Sequence, residues 1–132
     1  MPYKYLILNK DLFLPNPLEE LLDESIHLII TSPPYFNARN YRLHISTNGK
    51  ADIRINARSK SQLETITQYN TYLDKMKYVI NELYKKLKKG GIMALNVGSI
   101  TSNGIRLPLP FHFFNLLSEL FVWNETIIWD KT

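Results

Sequence analysis

The chain has 132 residues, 45% of them apolar, which suits one small domain, or a piece of a larger one, with a real core. It has no cysteine, which excludes disulfides and thiolate metal sites and fits a cytoplasmic location. Its apolar runs are too short to span a membrane and nothing resembles a signal peptide. The net charge of +4 is unevenly spread: residues 36–90 hold twelve Lys/Arg against four Asp/Glu. That middle segment suits a polyanion such as nucleic acid, or equally a solvated loop followed by a Lys-rich helix face.

In chain order, residues 5–8 (Tyr-Leu-Ile-Leu) read as a short strand. Pro15 and Pro17 flank a helix over 18–22, with Glu19 and Glu20 in its first turn. After a turn, 26–31 is a nearly continuous apolar run. Such a run between a helix and a Pro pair predicts a strand buried on both faces. Residues 36–68 change character: between Arg39 and Lys60, Arg39, Arg42, Lys50, Arg54, Arg58 and Lys60 stand against the single Asp52. A stretch this long without periodicity predicts a long loop, with room for a short helix or hairpin. Over 69–88, Tyr72, Met76, Val79, Ile80, Leu83 and Leu87 recur at helical spacing, lysines fill the other face, and Gly90-Gly91 supplies a stop. Residues 92–97 predict a second core strand and 98–108 a loop. Pro110 opens a helix over 111–120, whose Phe111, Phe113 and Phe114 pack on the sheet. Residues 121–129 predict a last strand, with Trp123, Ile127 and Trp129 on one core face. Strands alternating with helices define an α/β domain with a largely parallel sheet and flanking helices.

In open α/β sheets, ligands bind beyond the carboxyl ends of the strands, and Ser32-Pro33-Pro34-Tyr35 follows the 26–31 strand directly. Methylation of an exocyclic amine on a base explains these four residues. The amine lone pair is delocalised into the ring, and acceptors on its N–H groups free it. Ser32 offers a hydroxyl oxygen and Pro33 a carbonyl. Consecutive prolines stiffen the segment and hold the acceptor in place. Tyr35 offers a face on which an extruded base can stack. His27, His44 and His112 have no ligand spacing, so no metal site is expected.

These residues carry a family resemblance. The segment from Asp23 through Ser25, Ile26 and Leu28-Ile29-Ile30-Thr31 to Ser32-Pro33-Pro34-Tyr35 resembles motif IV of the N4-cytosine and N6-adenine DNA amino-methyltransferases. Leu83-Tyr84, Leu87-Lys88, Gly90-Gly91 and Ala94-Leu95-Asn96-Val97-Gly98 resemble the family's next helix and strand. Leu107-Pro108-Leu109-Pro110 and Ile127-Ile128-Trp129-Asp130-Lys131 resemble its later segments. With the catalytic motif ahead of any cofactor motif, the arrangement is similar to the permuted, beta-class enzymes, several of which belong to restriction-modification systems.

The resemblance implies a partial Rossmann-like methyltransferase fold. Residues 1–132 would be the N-terminal catalytic part, and 36–68 a long basic loop inserted after the motif. It implies S-adenosylmethionine as cofactor and double-stranded DNA as partner, with Ser32, Pro33, Pro34 and Tyr35 catalytic. The resemblance does not cover residues 36–68; the excess of positive charge there is what is expected to bring Arg39, Arg42, Arg54 and Arg58 to DNA phosphates. Serine at the first motif position favours cytosine N4 over adenine N6, where aspartate is usual. Asp11 stands where many members carry a Gly-Asp pair near the adenosine, although the glycine is absent and a capping role fits as well. Ser32 and Pro34 would border the methionine moiety. The family's Phe-x-Gly-x-Gly loop occurs nowhere in the chain, so a missing C-terminal part or a second polypeptide is expected to carry it. The competing reading is a non-catalytic remnant or DNA-binding subunit that keeps the fold but not the cofactor.

Overall fold

A computed structural model of the chain describes residues 5–34, 36, 62–102 and 104–131. Strand β1 (Ile26–Thr31) is followed by helix α1 (Gln62–Lys86), strand β2 (Leu87–Leu95), a hairpin of β3 (Ile100–Ser102) and β4 (Ile105–Leu107), and helix α2 (Leu109–Ser118). β1 and β2 pair in parallel, so β1, α1 and β2 form one βαβ unit.

The stripe on α1 sets the core. Thr65, Tyr69, Tyr72, Met76 and Ile80 recur every three or four residues and are all buried. Phe36, Ile100, Leu107, Leu109 and Phe113 close over them. The other end of α1 is tied to the turn before β1. The Glu24 and Ser25 amides donate to the Lys85 and Lys86 carbonyls, each at 3.0 Å, satisfying C-terminal acceptors of the helix. The Lys86 ammonium donates to the Leu21 carbonyl at 2.9 Å and to Asp23 Oδ1 at 2.6 Å. β2 therefore begins directly beside the first residue of β1.

The helix starts at Gln62, inside the stretch expected to be loop, and ends at Lys86, before the glycines. Gly90-Gly91 lies within β2. Between the pairs Ile26–Leu87 and Leu28–Ile92, one residue of β1 faces four of β2, and the glycines carry that bulge. Gly90 takes φ +78°, and the position of a Cβ on Gly91 lies 2.8 Å from the Lys88 carbonyl oxygen and 3.2 Å from that of Ile26.

Several expected elements are absent from the described residues. Residues 5–8 and 121–129 form no strand, and Ile7, Val122, Ile127 and Ile128 are at least 85% exposed. Trp123 and Trp129 are exposed as well. A strand persists only where a neighbour satisfies its backbone, and neither segment hydrogen-bonds to the β1–β2 pair. Residues 18–22 form turns with bonds to the third residue back, after Asn16 at φ 50°; the segment is too short to propagate a helix. β1 is covered on one face only: Leu28, its ladder partner Ile92, and Ile30 on the same face are 52, 55 and 74% exposed. In α2, Phe113 is buried, whereas Phe111 points to solvent and Phe114 packs edge-on to Trp123. Residues 100–107 form a hairpin in place of the expected loop. Its signal is Asn103-Gly104, with Gly104 at φ 73°.

The bulge makes a paired prediction. Gly91→Ala is expected to lose about 1–3 kcal/mol in urea unfolding, because its Cβ meets backbone that cannot move aside. Gly98→Ala, with open space around it, should stay within about 0.5 kcal/mol of the parent. Equal stabilities would mean that the bulge is not packed this way.

Candidate active site

The β1–β2 ladder ends level. The Asn96 amide donates to the Thr31 carbonyl at 3.0 Å, one step beyond the last register pair, Thr31–Leu95. Ser32 leaves β1 from this edge, exposed, its Oγ donating a long 3.4 Å hydrogen bond to the Asn96 carbonyl. Pro33 and Pro34 follow, half-buried. The Pro34 carbonyl accepts a 2.7 Å hydrogen bond from the Tyr72 hydroxyl. Phe36 is 1% exposed. Its ring lies 5.4 Å from that of Tyr69 and 5.7 Å from that of Tyr72. Helix α1 thus supplies an aromatic shelf under the segment that leaves β1.

α2 completes the shelf. Phe113 meets Tyr72 edge-on, and the Tyr69 hydroxyl lies 2.6 Å from His112 Nδ1. Burial pushes the Tyr69 phenol up to about 12. The phenol therefore keeps its proton at neutral pH, and which partner donates in this contact follows the His112 tautomer.

Asp11 is exposed; its Oδ1 accepts from the Phe13 amide at 2.9 Å and its carbonyl from the Leu14 amide at 3.2 Å, so it caps a turn rather than a helix. Tyr35, Arg39, Arg42, Arg54 and Arg58 lie outside the described residues. On α1, Lys77 pairs with Glu119 at 2.8 Å, Lys85 with Glu82 at 2.5 Å and Lys86 with Asp23, so part of its basic face is internally matched. Nearer the N-terminus, Lys10 pairs with Glu20; that contact raises the lysine and lowers the carboxyl. Tyr72 and Asn96 do not stand out in the sequence as site residues. Tyr72 reads there only as a core position, although a buried tyrosine, unlike phenylalanine, needs a partner for its hydroxyl.

The fold has a counterpart among known structures. TTHA0409 from Thermus thermophilus, described as a putative DNA modification methylase, superposes with a TM-score of 0.54. It is 23% identical, and the match covers 78% of this chain and 35% of that one. The described residues therefore carry part of a methyltransferase fold. The family model N6_N4_Mtase, described as DNA methylase, matches residues 26–132, and the chain belongs to that family. Two type II methyltransferases of Methanocaldococcus jannaschii are also similar. M.MjaI is 29% identical over 126 residues, covering 86% of this chain and 42% of the relative. M.MjaVI is 28% identical over 113 residues, covering 85% and 48%. The chain thus spans less than half the length of these relatives.

The shelf has a pH signature. A phenol whose folded value lies above its unfolded value near 10 contributes stability that is full below pH 10 and lost as pH rises toward 12. The parent should therefore lose more stability than Tyr69→Phe between pH 9 and pH 12, by at most about 3 kcal/mol. Parallel pH profiles in chemical unfolding would contradict a buried, hydrogen-bonded Tyr69.

Proposed function

We propose that the chain is the N-terminal catalytic part of a permuted, beta-class DNA amino-methyltransferase. In this reading it moves a methyl group from S-adenosylmethionine to the exocyclic amine of a flipped base in double-stranded DNA, with cytosine N4 favoured over adenine N6. The observation that carries the reading is the position of Ser32-Pro33-Pro34 at the carboxyl edge of β1 beside Asn96, where α/β enzymes bind their ligands. Membership of the DNA methylase family supports the same chemistry.

The roles follow from the atoms. The Ser32 hydroxyl oxygen and the Pro33 carbonyl accept from the two amino hydrogens of the base and return electron density to its nitrogen. The prolines keep these acceptors from rotating away, so little reorganisation is needed as charge develops. Tyr35 stacks on the extruded base. S-adenosylmethionine, when bound, supplies an electrophilic methyl group on a sulfonium. Two groups match its polar parts in chemistry: the Asp11 carboxylate suits ribose hydroxyls, and Ser32 with Pro34 would border the methionine end.

The family's glycine loop would come from a further part of the protein or a second polypeptide. The uncovered apolar face of Leu28, Ile30 and Ile92 supports an added layer there. The basic segment 36–68, which follows the tetrapeptide in the chain, would meet DNA phosphates through Arg39, Arg42, Arg54 and Arg58. The likeness to type II methyltransferases fits a modification role in a restriction-modification system.

Product analysis tests the reading. Expressed from its native locus with the neighbouring frames, in a host that methylates no DNA, the protein should leave N4-methylcytosine in digested nucleosides. N6-methyladenine instead would move the target to adenine. DNA binding with neither product would leave a non-catalytic DNA-binding subunit. In the same assay Tyr35→Ala should lose the stacking contribution, roughly 1–3 kcal/mol or about five- to a hundred-and-fifty-fold in rate.

A second expectation concerns the loop. Replacing Arg39, Arg42, Arg54 and Arg58 by Ala should weaken DNA binding and flatten its salt dependence by about 0.9 per lost phosphate contact. The melting temperature is expected to stay unchanged if these charges serve DNA rather than the fold. An unaltered salt slope would transfer the contact to the lysines of α1.

A further inference from the structure

The tetrapeptide contains two residues that cannot donate a backbone hydrogen bond. Pro33 and Pro34 lack N–H groups, so the backbone of this pair can be tied to the rest of the fold only through its carbonyls. The pair also lies past the end of the ladder, whose last bond joins Thr31 and Asn96. Two contacts take the place of strand pairing. The Tyr72 hydroxyl donates to the Pro34 carbonyl at 2.7 Å. Two residues further on, Phe36 is 1% exposed against the rings of Tyr69 and Tyr72.

We propose that Tyr72 is a positioning residue for methyl transfer: its phenol holds the Pro34 carbonyl, and its ring seats Phe36, so that the catalytic segment is fixed where the ladder cannot hold it. The inference rests on the methyltransferase reading for its consequence, but not for its geometry. The φ angles of both prolines are set by their rings, and the residues before each proline are confined to extended conformations. The soft torsion left is ψ of Pro34, and the Tyr72 bond fixes the carbonyl that this torsion turns. With the Pro34 carbonyl occupied, the Pro33 carbonyl remains as the backbone acceptor for the amine. A phenylalanine at position 72 would fill the same space in the shelf, so packing alone does not call for the hydroxyl.

The test is Tyr72→Phe, which keeps the ring and removes only the donor. In the 15N-labelled chain, NMR order parameters at the Ser32 and Phe36 amides should fall from about 0.85 toward about 0.6, with α1 and α2 unchanged. In the native-locus preparation, kcat for methylation should fall about tenfold to a hundredfold, the scale of a misplacement near 1 Å, with the KM for DNA unchanged. Order parameters unchanged at Ser32 and Phe36 would overturn the proposal. So would a loss of order spread through α1 and α2, which would make Tyr72 a plain core residue. Parent-like kcat despite a loosened segment would overturn its role in positioning. A parent that methylates no DNA, yet shows the confined loss of order, would defeat the methyltransferase reading while upholding the contact with Pro34.

Discussion

The parallel pairing of β1 with β2 is the constraint on which the rest of the structure depends. Parallel strands cannot be joined by a tight turn, so a crossover must carry the chain back, and α1 is that crossover. Its C-terminal carbonyls are met by the Glu24 and Ser25 amides, and Lys86 clamps the turn at Leu21 and Asp23. This puts Leu87 beside Ile26 with no loop between helix and strand. The glycine bulge then absorbs the excess residues of β2, and both strands run out together at Thr31 and Asn96. The exposed Ser32 hydroxyl stands at that shared end because everything upstream fixes where the ladder stops.

The same helix serves the segment beyond the strand. Its apolar stripe holds tyrosine at 69 and 72, nearest the carboxyl edge, and Met76 and Ile80 further along. The aliphatic positions only pack; the tyrosines also carry hydroxyls, one meeting His112 on α2 and one meeting Pro34. Burial that raises the Tyr69 phenol keeps that hydroxyl protonated. One amphipathic stripe thus builds the core and supports the segment that leaves β1.

The α/β alternation around β1, α1 and β2 is legible in the sequence because periodicity 3.6 and a short apolar run are strong local signals. So is the position of Ser32-Pro33-Pro34 directly after a strand, since the apolar run of β1 ends at Thr31. Pairing is what local pattern misses. Residues 5–8 and 121–129 have strand-like composition, but composition does not supply the neighbour a strand requires, and both segments are exposed. Likewise the run in β1 looks buried on both faces, whereas Leu28 and Ile30 face open space. Gly90-Gly91 reads as a helix stop from local rules; only the register between β1 and β2 reveals a bulge. The Tyr72 contact is out of reach of local rules because it joins residues 38 positions apart. Tyr35, Arg39, Arg42, Arg54 and Arg58 lie outside the described residues.

The central claim is that the base to be methylated meets this protein at the segment leaving β1. Photo-crosslinking to DNA whose cytosines are replaced by 5-iodocytosine measures that directly, with the attached peptide mapped by mass spectrometry. The account predicts attachment within residues 32–36, concentrated on Tyr35, which offers the aromatic face for the extruded base. Attachment confined to α2 or to residues 121–129, with none at 32–36, would contradict it.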